Sequence, residues 1–280
     1  MDERHCHRHM SRLANLYQCP MGRFEVHDKI EGERANKMHI CLIQCDPTSG
    51  RQNLAALNDA VTNRGADLYV LPELFTCGYP PPNTATPEKF VAGSLYWEVT
   101  ALQMKRPRSA IVYGFWETEN GRSYNSAGVI ADVGAAEVYR QRCPANASLL
   151  HVIPGAWRTV TIGAATFGNS RKIGLMICSD YNAAEEAFEH YSQRGAHAVV
   201  LIADSAARSW KSTFPHLCSR YRIPSIICNA AGPAGGDKGC SCVIDSAGRI
   251  VREFPEYAHV EVIDAVVSHD EPLGISAANR

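Results

Sequence analysis

Five short, almost wholly apolar segments constrain the fold of this chain more than any other feature of its sequence. They read MHICLIQCD, ADLYVLPE, KIGLMICSD, HAVVLIADS and PSIICNAAG. Strands without polar alternation are typical of parallel sheets buried on both faces, and parallel strands need crossover connections. Helical patterns stand between several of these segments, over residues 50–64, along AAEEAFEHYSQRGA and near 208–222. The order predicts an α/β fold, in which Pro215 interrupts the last helix or lies in its first turn.

Hairpin signals add antiparallel strands to this pattern. Glycine-containing turns separate strand-like segments at Asn120-Gly121, Val133-Gly134 and Ala247-Gly248. The sequence therefore predicts mixed sheets within one compact domain over residues 38–270, followed by a tail at 271–280.

Residues 1–37 differ in composition from the rest of the chain. They are rich in Arg, His, Glu and Asp, show no clear period, and are predicted to form a polar extension outside the folded core. The sequence HCHRH at 5–9 contains metal-ligating residue types, but no second ligand cluster accompanies it, which favours a solvated tail.

Composition limits the functional classes. With 45% hydrophobic residues, the 280-residue chain can bury a large core. A net charge of −1 argues against binding nucleic acid or an acidic membrane, and no apolar run reaches the roughly 18 residues that span a bilayer. The eleven cysteines are odd in number and mostly lie in apolar runs, which favours reduced thiols in a cytoplasmic protein over disulfides or a metal site.

Chemically active side chains follow three of the apolar strands. Glu73 follows the second segment, Cys178 ends the third, and Asp204-Ser205 ends the fourth. Because the carboxyl ends of parallel strands share one edge of a sheet, we expect Glu73 and Cys178 to meet there as a base beside a nucleophile. The residues alone leave other interpretations open: Cys178 as an apolar filler, Glu73 as a solvated loop residue, and Asp204-Ser205 as a helix N-cap.

Residues 38–270 resemble the nitrilase superfamily of carbon–nitrogen hydrolases. The resemblance rests on seven segments in the same order: LPELFTCGY, VYRQRCPAN, PGAW, KIGLMICSDYNAAEEA, RGAHAVVLIADS, RYRIPSIICNAAG and GCSCVIDSAGRI. It implies a four-layer α-β-β-α sandwich that assembles as a dimer or larger homo-oligomer. It also implies a Glu-Lys-Cys triad and no metal or organic cofactor.

The resemblance assigns roles to four residues. Glu73 matches the base, Cys178 matches the nucleophile that forms a thioester, and the backbone N–H of Ser179 matches an oxyanion donor. Gln141 stands at the position of the triad lysine, and the acidic residue expected before the Pro-Gly is also missing from ASLLHVIPG. A neutral amide is a weaker donor than an ammonium and does not lower the pKa of a nearby thiol.

An arginine could replace the missing cation. Side chains alternate along an extended segment, so Arg140 and Arg142 are expected to point away from the face that carries Gln141. Either arginine would need a register slip or bulge to reach the thiol.

These observations predict a cysteine hydrolase of a small non-peptide amide, carbamoyl or nitrile substrate. The alternatives are a ligand- or partner-binding protein of the same fold with impaired catalysis, and an acyl-transfer variant. Loops at 76–97 and 205–214 are the expected pocket loops. The candidate pocket residues, each of which could instead be ordinary packing, are Tyr79, Tyr181, Ser205 and Trp210.

Overall fold

The structure, a computed structural model, describes nine parts of the chain. They are residues 37–50, 52–78, 87–132, 134–145, 153–162, 170–206, 210–232, 238–254 and the backbone of 261–268. The predictions for the N-terminal extension, the HCHRH sequence, Tyr79 and the C-terminal tail therefore lie outside the described residues, apart from Lys37, where the first strand begins.

Two six-stranded sheets are formed by the described part of the chain. The first consists of β1 (Lys37–Gln44), β2 (Leu68–Val70), β3 (Ala110–Glu119), β4 (Arg122–Ala131), β5 (Ala135–Arg140) and β12 (Glu261–Ser268), in the order β12-β1-β2-β3-β4-β5. The second consists of β6 (Thr159–Ile162), β7 (Arg171–Ile177), β8 (Ala198–Ala203), β9 (Ser225–Asn229), β10 (Cys242–Ile244) and β11 (Ile250–Glu253), in the order β11-β10-β9-β8-β7-β6.

Both sheets mix parallel and antiparallel pairing. Strands β1, β2 and β3 run parallel, as do β7, β8 and β9. The remaining strands pair antiparallel, including the predicted hairpins β3–β4, β4–β5 and β10–β11. Each sheet thus has a parallel centre and antiparallel edges.

Helices cover the outer face of each sheet. The helices are α1 (Gln52–Asn63) and α2 (Ser94–Gln103) on the first sheet, and α3 (Ala184–Gln193) and α4 (Trp210–Tyr221) on the second. Alternate residues of one strand face different cores: Ile40 and Leu42 lie between the sheets, whereas Cys41 and Ile43 pack under α1 and α2. These layers confirm the predicted α-β-β-α sandwich.

Helix α3 shows how the sequence produces this packing. Ala184, Ala187, Phe188 and Tyr191 recur at helical spacing on one face and are buried against the second sheet. Each large apolar side chain of this kind contributes about 1.5–3 kcal/mol when fully buried.

The structure differs from the prediction in two helices. Pro215 neither interrupts α4 nor lies in its first turn; it is the sixth residue of a helix that continues through it. Burial of Phe214, Leu217 and Cys218 against the second sheet stabilises the continuous helix despite the missing N–H. Helix α2 begins at Ser94, inside the segment predicted as a pocket loop.

None of the helices in the described residues has the length and hydropathy needed to traverse a bilayer.

Candidate active site

The candidate site forms where strand ends from both sheets meet. Glu73 follows β2 of the first sheet, whereas Cys178 follows β7 and Asp204 follows β8 of the second. The expectation that these residues share the edge of one sheet is therefore wrong. They converge because the two sheets are stacked face to face.

Glu73 is fully buried and held by two donors. Asn125 Nδ2 donates to Glu73 Oε1 at 2.5 Å, and the backbone N–H of Asp204 donates to Oε2 at 2.8 Å. Burial raises the pKa of Glu73 to about 8, and the negative charge of Asp204 adds to the rise, while the two hydrogen bonds oppose it. Most Glu73 side chains are consequently protonated at neutral pH.

Gly114 on β3 allows the backbone of Glu73 to come close. A Cβ on Gly114 would lie 2.5 Å from Leu74 N and 2.6 Å from Glu73 Cα. The Gly114 N–H donates to Pro72 O at 3.2 Å, and its carbonyl accepts from Phe75 N at 3.3 Å. The turn after β2 is thereby bonded to β3 on both sides of the glutamate.

Cys178 occupies a strained backbone position at the end of β7. Its φ is +43°, in the left-handed region that non-glycine residues rarely adopt, and a 3-10 turn over Cys178–Ala183 follows. Its thiol lies close to the Glu73 carboxyl and to the backbone N–H of Asp204. Burial raises the pKa of Cys178 well above its ordinary value, and Glu73 adds to the rise.

Asp180 fixes the turn that carries Cys178. Its Oδ2 accepts from Ile177 N at 2.8 Å and from the Tyr139 hydroxyl at 2.7 Å, and its Oδ1 accepts from Cys143 N at 2.7 Å. Burial raises the pKa of Asp180 to about 6, against the effect of these hydrogen bonds. The buried carboxyl thereby connects the turn to Tyr139 on β5 and to the segment that follows this strand.

Gln141 lies next to these groups and is only 2% exposed. Its Nε2 donates to Ile177 O at 2.8 Å and to Ser179 Oγ at 3.0 Å, while its Oε1 accepts from Asn125 Nδ2 at 3.0 Å. An amide nitrogen carries two hydrogens, so both are committed within the protein. Gln141 can bind an oxyanion only by releasing one of these acceptors.

The two arginines beside Gln141 are directed elsewhere. Arg140 forms a forked ion pair with Glu117, at 2.6 Å and 2.9 Å, and lies 4.0 Å from the ring centre of Tyr124. Arg142 is exposed. Arg140 and Gln141 thus point into different environments, as alternation along an extended segment predicts.

The predicted pocket residues have different surroundings. Ser205 donates its N–H to Asn229 Oδ1 at 3.0 Å and accepts at its carbonyl from Asn229 Nδ2 at 2.9 Å. Tyr181 is half-buried in the turn after Cys178 and packs against the core between α3, α4 and the second sheet. Trp210 is buried within that same core. The assignment of these residues to a pocket wall is still a prediction.

The sequence analysis did not identify Asn125 or Asp180, and it noted Asp204 at a strand end but gave it no role beyond a possible helix cap. One available signal was a polar residue next to an apolar run: Asn125 precedes SAGVIA and is 2% exposed within the largely buried strand β4. Such a residue needs partners in the interior, and here the partners are Glu73 and Gln141.

Comparison with known proteins agrees with this fold. An (R)-stereoselective amidase from a Pseudomonas species is 28% identical over 251 residues, which are 81% of this chain and 85% of the amidase. A glutamine-dependent NAD(+) synthetase from Thermotoga maritima is 26% identical over 260 residues, 86% of this chain but only 44% of the synthetase. The chain therefore spans less than half of the length of that relative.

Solved structures show the same architecture. Nit3 from Saccharomyces cerevisiae, a member of branch 10 of the nitrilase superfamily, has a TM-score of 0.67 at 19% identity, covering 83% of this chain and 90% of Nit3. The family model for carbon-nitrogen hydrolases matches residues 36–268. Because this match extends over most of its length and the stacked sheets agree with it, the chain belongs to the carbon-nitrogen hydrolase family, within the nitrilase superfamily.

Proposed function

We propose that the protein hydrolyses a carbon–nitrogen bond of a small non-peptide amide, carbamoyl or nitrile compound through a thioester on Cys178. The observation that carries this proposal is the placement of the Cys178 thiol beside the buried Glu73 carboxyl. A base beside a thiol is the arrangement that nucleophilic catalysis needs. Glu73 is here the base, and Ser179 N–H and Gln141 are the candidate oxyanion donors.

The proposed reaction begins with ionised Glu73. For an amide, the carboxylate takes the thiol proton as sulfur bonds to the carbonyl carbon, and the carbonyl electron pair moves onto oxygen. Collapse of this intermediate breaks the C–N bond, and Glu73 returns the proton to the departing nitrogen. Water then attacks the thioester and Glu73 takes a proton from it; as the C–S bond breaks, Glu73 passes this proton to sulfur, which restores the thiol and the carboxylate and releases the acid.

A second candidate function is ligand or partner binding with little turnover. It is favoured by Gln141, whose two amide hydrogens already bond Ile177 O and Ser179 Oγ. Losing one oxyanion donor typically lowers the rate by about 10²–10³. A protein with this site could retain a binding cavity and lose efficient catalysis.

The names of the relatives guide the choice of substrates. One is a glutamine-dependent synthetase and another is an (R)-stereoselective amidase. The test panel should accordingly include free glutamine, both enantiomers of small primary amides, carbamoyl compounds and aliphatic nitriles. Assembly as a homodimer or larger homo-oligomer in the cytoplasm is a further part of this proposal, and light scattering after size exclusion tests the assembly.

The decisive experiment measures ammonia release and intact protein mass with this panel. We expect slow ammonia release and a transient adduct on Cys178, both abolished by Cys178→Ala. Cys143→Ala is the matched control, because the thiol of Cys143 is also partly exposed but takes no part in the proposed reaction. Stabilisation of the fold by a panel compound, with neither adduct nor ammonia, would replace the hydrolase by the binding protein.

A further inference from the structure

Lys238 forms an ion pair with the Asp204 carboxylate at the candidate site. The Lys238 ammonium bonds Asp204 Oδ1, and the side chains are 31% and 1% exposed respectively. Lys238 lies between β9 and β10, and the aliphatic part of its side chain packs against Gly232. The next residue is anchored, since Gly239 N donates to Ala230 O at 2.9 Å and Gly239 O accepts from Asn229 Nδ2 at 2.8 Å.

Asp204 is adjacent to both proposed catalytic groups. Its backbone N–H donates to Glu73 Oε2 at 2.8 Å and lies close to the sulfur of Cys178. The titratable groups that experience its negative charge are Glu73, Cys178, Cys77 and Cys45, and for each of them this charge raises the pKa. Lys238 forms an ion pair with this carboxylate and so offsets its charge.

The ion pair matters because the working state of the site is itself anionic. Moving the thiol proton to Glu73 leaves one negative charge shared by carboxyl and sulfur. The negative charge of Asp204, without the ammonium of Lys238 beside it, would oppose that state more strongly, and Gln141, being neutral, cannot offset it. A cation on Asp204 removes the repulsion without touching the sulfur.

We propose that Lys238 is a positioning residue that supplies a positive charge to this site, by offsetting the charge of Asp204 beside the Glu73–Cys178 pair. Its effect on turnover rests on the proposed hydrolase function. Its effect on the reactivity of the Cys178 thiol does not, so the two proposals can fail separately.

The test is alkylation of Cys178 by iodoacetamide between pH 6 and 10, followed by peptide mass mapping of this one cysteine. Iodoacetamide is neutral, so a change in rate reports the thiol and not attraction of the reagent. The variants are Lys238→Met, Lys238→Arg, Asp204→Asn and the double variant Asp204→Asn/Lys238→Met. Lys105→Met is the control, because Lys105 bonds Asn58 at the outer helices.

Lys238→Met is expected to slow alkylation of Cys178 at pH 8 by about threefold or more, which corresponds to a rise of about half a unit in the effective pKa. Lys238→Arg should stay within about twofold of the wild type, because it keeps the charge. The double variant should recover the wild-type rate, because no charge on Asp204 is left to neutralise.

Two results would overturn the proposal. One is an unchanged Cys178 profile in Lys238→Met. The other is a double variant as slow as Lys238→Met, which would mean that Lys238 acts through packing and not through the charge of Asp204. If Lys238→Met alone fails to fold, the profiles of Asp204→Asn and the double variant decide: the charge model expects both to equal or exceed the wild type.

Discussion

Glu73 accepts the backbone N–H of Asp204 at 2.8 Å, although 131 positions separate the two residues in the chain. One residue follows a strand of the first sheet and the other follows a strand of the second. The bond therefore exists only when the sheets are stacked, and the same stacking buries Glu73 completely. The chemistry of this carboxyl follows from that burial.

The first prediction concerns the protonation of Glu73. Burial raises its pKa to about 8, so its carboxyl band in infrared difference spectra, with Glu73→Gln as the reference, should disappear as the pH rises through about 8. In Asn125→Leu the loss of a hydrogen bond that lowers the pKa should move this midpoint upward. A band already lost at pH 5 would refute the assignment.

The same pKa predicts a dependence of stability on pH. The ordinary pKa of a glutamate side chain is 4.5 and that of folded Glu73 is about 8, so between these pH values the folded state binds one more proton than the unfolded state. The free energy of unfolding should thus fall as pH rises through this window, by on the order of 4 kcal/mol.

Glu73→Gln should remove this dependence of the free energy of unfolding on pH. Any change in stability that the substitution causes equally at every pH does not affect the comparison. Urea denaturation of both proteins at pH 5, 6.5 and 8 measures it. Parallel curves for wild type and variant would show that Glu73 does not titrate within the window.

The backbone of Cys178 supplies a prediction about strain. At a φ of +43° a glycine avoids a penalty of roughly 1–2 kcal/mol that other residues incur. Cys178→Gly should therefore be at least as stable as Cys178→Ala, despite the greater flexibility of glycine in the unfolded chain.

Cys218 is the matched control for this comparison, since it is buried within α4. There Cys218→Gly should be less stable than Cys218→Ala by about 1 kcal/mol. Thermal unfolding of the four variants gives both differences, and the same order at both positions would contradict strain at Cys178.

Gly114→Ala should displace Glu73. The added Cβ would meet backbone atoms of Leu74 and Glu73 at 2.5 Å and 2.6 Å, which cannot move aside as a flexible side chain does. Overpacking of this kind costs about 1–3 kcal/mol. Reactivity of Cys178 and stability should both fall, whereas Gly65→Ala, where a Cβ meets nothing within 4 Å, should change neither.

Gln141→Lys tests whether a cation at this position limits catalysis. A buried ammonium near Glu73 and Cys178 should lower the pKa of both and raise the rate of ammonia release by about tenfold or more. Gln141→Met has a similar length but no donor, and it should instead lower the rate. Equal rates in all three proteins would show that residue 141 does not bind the oxyanion.

The sequence alone was sufficient for the central strands and the hairpin turns. The parallel strands β7, β8 and β9 were predicted because they read as continuous apolar runs, and the turns at Asn120-Gly121 and Ala247-Gly248 because glycine favours hairpins. Apolar runs and glycine turns can be read from neighbouring residues because the strand or turn depends on those residues alone. By contrast, the continuous helix through Pro215 depends on burial against the second sheet, which no pattern within the helix contains.

The candidate site was only half visible in the sequence. Strand ends marked Glu73 and Cys178, but nothing local showed that they arrive from different sheets or that Asn125 bridges Glu73 and Gln141. The pKa of Glu73, the commitment of both Gln141 hydrogens and the pairing of Lys238 with Asp204 all arise from contacts between segments distant in the chain. The sequence by itself determined which chemical groups follow the strands. Stacking of the two sheets decided which of these groups meet and how deeply they are buried. Burial and hydrogen-bond partners are properties of the packed interior, and no local segment of the sequence contains them.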